Sequence, residues 1–112
     1  DWLISHDGDP SPEMAAYIAL EDLDFAMASP ARYKTALDGA GFRSVRLPNR
    51  HRWYAEVAKA ELDRFTGPER ADFEAAHGAD LIASSIETWT AMIGVLESGE
   101  HCPHHLLAQK PG

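Results

Sequence analysis

The chain has 112 residues, 45% hydrophobic and 25% charged, enough apolar material for one folded domain and no more. Ten Lys and Arg against 18 Asp and Glu give a formal net charge of −8, which argues against nucleic acid and anionic membranes as partners, because both recruit basic surfaces. The single cysteine, Cys102, excludes an internal disulfide and reads as a cytoplasmic chain, and no apolar run approaches the roughly 18 residues that span a bilayer.

Residues 1–11 are polar and turn-rich, with Gly8 and Pro10 and no apolar period. Ser11-Pro12-Glu13 is a helix start: a capping hydroxyl, proline at the first helical position and an acid in the first turn. Met14, Tyr17, Ile18 and Leu20 then line one side, and the pattern runs to about Phe25. Ser29-Pro30 repeats the signal. Tyr33, Ala36, Leu37 and Ala40 follow at helical spacing, and Gly39 or Gly41 closes that helix. Phe42 to Leu47 alternates and stops at Pro48, which predicts a short strand.

Trp53, Val57 and Ala60 are expected to form the apolar stripe of the next helix, with Tyr54, Ala58 and Leu62 beside it. Thr66 and Glu69 fit a capping box around Gly67-Pro68. Ile82, Ile86, Trp89, Ile93 and Leu96 mark the clearest amphipathic helix, which Ser98-Gly99 ends. Residues 102–109 predict a last strand, and Pro111-Gly112 is a tail. Two strands do not make an ordinary sheet. They are therefore expected to need partners from an upstream stretch or a second chain. Opening on Asp1-Trp2 without an initiator methionine, the chain reads as the back half of a larger α/β enzyme.

The ordered landmarks sharpen that reading. They are Asp1-Trp2, Tyr17, the run from Tyr33 to Ala40-Gly41-Phe42 with Val45, Asn49-Arg50, Trp89, Ser98-Gly99-Glu100 and Lys110-Pro111. In this order and spacing the chain resembles the C-terminal half of class I S-adenosylmethionine-dependent methyltransferases. It is most similar to the group that N-methylates phosphoethanolamine, glycine, sarcosine or dimethylglycine. Asp1-Trp2 stands where that group has Asp-Tyr at the end of its fifth strand. Tyr17 falls at the distance of a substrate-binding tyrosine.

The resemblance implies an α/β fold: the C-terminal part of a Rossmann-like methyltransferase domain, mostly helical with two terminal strands. Residues 1–28 would be a lid and acceptor-pocket loop and helix, 29–48 a helix and strand, 49–97 a helical insertion, and 98–112 the last strand and tail. The parent would move a methyl group from S-adenosylmethionine to a small molecule, an amine by this reading. The segment alone would be inactive. The cofactor would be bound mainly by the N-terminal half, in the same or a separate chain, and a homodimer is a further arrangement. The Gly-rich loop and the ribose-holding acid of such enzymes are missing from this sequence, and their catalytic histidine–tyrosine pair belongs upstream. None of His6, His51 and His77 matches that histidine, so catalytic and cofactor residues stay unassigned.

The acceptor-site residues implied by the resemblance are Trp2, Tyr17, Glu21, Leu23 and Met92. Here the chain departs from the group. Glu21 stands where phosphobase and carboxylate-substrate enzymes carry an anion-gripping arginine, Leu23 replaces a tyrosine and Met92 a lysine. An anion site needs Arg or Lys donors. Glu21 therefore favours a cationic or neutral acceptor, held by cation–π attraction at Trp2 and Tyr17.

Blander readings compete. Tyr17 and Glu21 share a helix face and could be a half-buried phenol beside a solvated acid. Trp2 could plug the loop, and Leu23 and Met92 could simply pack. His101, Cys102, His104 and His105 suggest a metal cluster, but tetrahedral ligation needs converging donors, and strand neighbours 104 and 105 point to opposite faces. The reading is no metal site. Cys102 lacks an implied orienting base. Arg50, His51 and Arg52 are a basic patch at a helix start, with Arg50 able to pair an acid. Trp53 and Trp89 are expected in the core. Two rival functions remain: a helical association module dimerising through Ile82, Ile86, Trp89 and Ile93, and a metal-binding domain on residues 101–105.

Overall fold

Each Ser-Pro pair opens a helix. In the structure, a computed structural model that describes residues 1–22 and 26–111, α1 (Pro12–Glu21) begins after Ser11, whose hydroxyl accepts the Met14 amide at 3.1 Å. α2 (Pro30–Gly39) begins after Ser29, whose hydroxyl accepts the Arg32 amide at 3.2 Å. Such caps satisfy amides that have no intrahelical partner. α1 ends short of its apolar pattern: Asp22 turns into the left-handed region at φ 53°, and Phe25 lies outside the described residues.

The remaining elements are β1 (Arg43–Arg46), α3 (His51–Thr66), α4 (Arg70–His77), α5 (Ala79–Ser98) and β2 (Leu107–Gln109). α5 is the axis of the helical body and packs against α1, α3 and α4. Gly99 stops it in the left-handed conformation at φ 83°, as the Ser98-Gly99 pair predicts. Where α1, α3 and α5 meet, Met14, Tyr17, Ala55, Ala58, Met92, Val95 and Leu96 form one buried cluster with Ile4. No helix among the described residues is long and apolar enough to cross a membrane.

Ser11 does more than cap. Its hydroxyl donates to Glu100 Oε1 and its amide to Glu100 Oε2 at 2.8 Å, while His6 Nε2 lies 2.9 Å from the same oxygen. These hydrogen bonds lower the Glu100 pKa even though burial works against them, and they tie the start of α1 to the end of α5. Ser11→Ala removes the cap and the hydroxyl bond to Glu100 and leaves the amide bond in place. It should destabilise the chain by about 0.5–2 kcal/mol, read as a lower thermal midpoint. An unchanged midpoint would show that the hydroxyl's two bonds contribute nothing.

Two helical expectations are corrected. α3 does not face inward through Trp53, Val57 and Ala60: Trp53 is 54% exposed, while Ala55 and Ala58 are buried. The small alanines let α3 approach its neighbours closely, and Arg50 stacks over the exposed Trp53 ring at 5.3 Å. Thr66 and Glu69 form no capping box. The Thr66 hydroxyl donates back to the Leu62 carbonyl at 3.0 Å and finishes α3, and Glu69 caps α4 with no side-chain bond. The stripe proposed for self-association is largely used inside the chain. Ile82 is buried, Trp89 and Ile93 pack on the core, and Phe65 lies 6.4 Å from Trp89.

The strands also differ from expectation. β1 and β2 pair with each other, antiparallel, with Arg43 opposite Gln109 and Arg46 opposite Leu107. The register slips between these pairs, and Ser44 sits at φ 50°. The predicted strand 102–109 is regular only from Leu107, because Pro103 has no amide to donate. The first half of that run pairs instead with the opening residues. Cys102 N donates to Leu3 O at 2.9 Å, His104 N to Asp1 O at 3.0 Å and Ser5 N to Glu100 O at 2.8 Å, with bridges at Ile4–His101 and Asn49–His104. Residues 1–5, read from the sequence as an irregular loop, stay outside the two-stranded sheet but are held beside residues 100–104 by these bonds and the isolated bridge at Ile4. The strands therefore find partners within the chain, contrary to the expectation that all must come from elsewhere.

The assembly is extended. Its radius of gyration is 16.8 Å, against about 13 Å for a compact domain near this length. Its accessible surface of 7084 Å² exceeds by roughly 1,000 Å² that of a typical monomer of this mass. Trp2, Leu106 and Leu107 on the sheet side are among the exposed apolar residues. The free edge along β1 carries Arg43 and Arg46, charges of the kind that discourage strand pairing.

Candidate functional site

His101 is the centre of an aromatic cluster that joins predicted site residues. It follows the Gly99 stop, where its amide donates to Val95 O at 3.1 Å, and it is fully buried. Its Nδ1 lies 3.2 Å from Leu3 O. A carbonyl can only accept, so Nδ1 carries the proton. Burial lowers the His101 pKa, which keeps the ring neutral and leaves Nε2 a lone-pair acceptor. That nitrogen is buried with no hydrogen-bond partner among the described residues.

Trp2 stacks on this imidazole at 5.3 Å and 19°. Tyr17, from α1, lies against it at 5.4 Å and 39°. Tyr54, from α3, meets Trp2 edge-on at 4.9 Å and 89°. The Glu21 carboxylate stands one helical turn on from Tyr17, on the same face of α1. The Tyr17 pKa is raised, first by burial and then by that carboxylate. Tyr54 is raised too, by burial, then by Glu21, then by Glu61. The result is a wall of three aromatic rings and one neutral imidazole in a negative field. An ammonium group is attracted to both components.

Of the predicted acceptor-site residues, the structure brings together Trp2, Tyr17 and Glu21. Met92 is 5% exposed and belongs to the same buried cluster as Tyr17, so it backs the wall. Leu23 lies outside the described residues. Sequence reading did not assign His101 or Tyr54 to the site. Tyr54 was visible only as a flank of the α3 stripe, and His101 only as a metal-ligand candidate.

The other chemistry-bearing residues sit apart. His104 is buried with Nδ1 2.6 Å from Cys102 O, whereas His105 is exposed. Among the described residues no three His, Cys, Asp or Glu groups are placed to hold a metal ion. The Cys102 thiol is buried, which pushes its pKa up to about 11 and keeps it un-ionised near neutrality. Arg50 finds no acid for its buried Nε. A cavity of about 650 Å³ opens between α1 and the second half of α5, and Trp2, Tyr17, Glu21 and Met92 are not among its walls. Ser11, Ala16, Ala91, Gly94 and Val95 are among its walls.

No protein-family model and no curated protein matches the sequence. Among solved structures, the chain is similar to phospholethanolamine N-methyltransferase 2 of Haemonchus contortus, solved in complex with phosphomonomethylethanolamine and S-adenosylhomocysteine. The match covers 99% of this chain at 15% identity, with a TM-score of 0.85. The chain has a methyltransferase-like fold. It spans 25% of that neighbour's length, so what the likeness establishes is the fold.

Proposed function

We propose that the chain is the acceptor-binding part of an S-adenosylmethionine-dependent methyltransferase, and that its acceptor is a small amine. The observation that carries this reading is the convergence of Trp2 and Tyr17 on one imidazole, with the Glu21 charge raising the Tyr17 pKa. A carboxylate at this position repels phosphate and favours ammonium. A charged amine over Trp2 and Tyr17 gains about 0.5–2 kcal/mol of cation–π attraction. The solved neighbour was crystallised with an amine-bearing phosphomonoester. Glu21 points this chain toward an amine without the phosphate.

On this reading the cofactor is cradled by a glycine-rich turn outside this chain. An N-terminal half, in the same or a separate chain, would hold it and supply the methyl group. The roughly 1,000 Å² of surplus surface and the exposed Trp2, Leu106 and Leu107 suit such a partner. In this division residues 1–28 form the acceptor lid and pocket, and the helices within 49–97 brace it from behind. The work of this segment is to bind the amine, orient its lone pair and exclude water. A cytoplasmic setting fits the free, reduced Cys102.

Glu21→Arg tests the reading. Titrating the chain with tetramethylammonium, followed by the Trp2 indole resonance, should show affinity lowered by about 1–3 kcal/mol in the variant, or roughly 5- to 150-fold. Equal affinity in both proteins would remove Glu21 from the site. No binding to the parent chain would remove the site itself.

A further inference from the structure

The unpartnered nitrogen of His101 needs an explanation. A buried acceptor without a donor is destabilising, and native proteins rarely leave one. The tautomer is fixed from the other side of the ring, since Nδ1 must donate to Leu3 O. The Nε2 lone pair therefore lies in the ring plane with nothing to receive. Trp2 stacks on the ring, and a stacked ring places no donor in that plane. Trp2 is also 40% exposed while His101 is wholly covered. Trp2 covers one face of the imidazole, so a ligand that reaches Nε2 must enter at the ring edge beside it. Tyr17 lies against the same ring and Tyr54 meets Trp2, with the Glu21 charge acting on both tyrosines, and these groups favour a cation.

We propose that His101 Nε2 accepts a hydrogen bond from an N–H of the bound amine, so that the site selects primary, secondary and protonated tertiary amines over quaternary ammonium. This rests on the amine reading above and adds the group that counts N–H bonds. The aromatic wall and Glu21 attract any ammonium. His101 rewards only one that still has a hydrogen on nitrogen. An acceptor methylated until its last N–H is replaced loses this contact, which favours release of a fully methylated product.

The experiment uses two probes, methylammonium and tetramethylammonium, on the chain and on His101→Phe, which keeps a flat ring for Trp2 and Tyr17 but has no acceptor. The expected result is about a tenfold loss of methylammonium affinity in His101→Phe, the effect of removing a hydrogen bond to a charged group. Tetramethylammonium affinity should change by less than about twofold, because its contacts are cation–π and Coulombic. A variant-free measurement accompanies it. The ¹⁵N resonance of His101 Nε2 in the parent chain should move on adding methylammonium and stay in place with tetramethylammonium. If both probes bind the parent and shift this resonance alike, or if His101→Phe weakens both equally, the role of His101 is overturned while the amine site stands. If Nε2 is already hydrogen-bonded in the free chain and does not respond, a trapped water is its partner and the role is again overturned. If neither probe binds, the amine site fails and this role fails with it.

Discussion

Leu96→Ala should lower the unfolding free energy by about 2–5 kcal/mol, one of the two largest losses expected from any single substitution argued for this chain. Leu96 is fully buried where α5 meets α1 and α3, in contact with the cluster that includes Met14, Tyr17 and Ala58. Its carbonyl also receives the Gly99 amide at 3.1 Å and faces His51 Nδ1 at 2.7 Å. Those backbone bonds hold this turn in place, so the helix cannot slide to fill the space a missing isobutyl group leaves. Domains are stable by only about 5–15 kcal/mol, and a chain with surplus exposed surface belongs toward the lower end. Urea denaturation followed by helical signal gives the measurement. Leu81→Ala, at the exposed start of α5, is the internal control and should stay within about 0.5 kcal/mol of the parent. Equal losses at the two positions would mean that the core is not where α1, α3 and α5 cross.

The elements legible in the sequence are those whose causes are local. Ser11-Pro12 and Ser29-Pro30 fix helix starts because a cap, a preset φ and a free first amide all act within a few residues. Ser98-Gly99 fixes the end of α5 for the same reason. The element order follows directly: two helices, a strand, three helices, a strand. What stays hidden depends on partners far along the chain. Leu3 and Ile4 are only two apolar residues in a polar stretch, and they are buried and bridged because residues 101 to 104 lie alongside them. The inward face of α3 is set by how closely alanines let it approach its neighbours, so Ala55 and Ala58 win over the larger Trp53.

The candidate site divides in the same way. Tyr17 and Glu21 are one turn apart, and their contact is readable from helix geometry. Joining them to Trp2 takes the backbone pairing that brings residues 1–4 beside His101. No spacing rule announces that. His101 looked like a metal ligand because His and Cys cluster in the sequence from 101 to 105. Folding separates them: His101 turns to Leu3, His104 to the Cys102 carbonyl and His105 to solvent.

Tyr17 therefore carries two separable loads, and a pair of substitutions should divide them. Tyr17→Ala should destabilise the chain by about 3–5 kcal/mol, as expected for a buried aromatic side chain, because the ring is 3% exposed and packs on both His101 and the Met14–Leu96 cluster. Tyr17→Phe keeps the ring and removes only the hydroxyl. Its neighbour Glu21 is not fully buried and can turn to water, so the loss should be about 1 kcal/mol or less. The ring face is what attracts a cation, so Tyr17→Phe should also bind tetramethylammonium within a few-fold of the parent. Urea midpoints and the same indole titration measure both effects. A Phe variant as unstable as the Ala variant would mean that the hydroxyl, and not the packing of the ring, carries the stabilisation. A Phe variant that folds fully but no longer binds would move the cation away from the face of Tyr17.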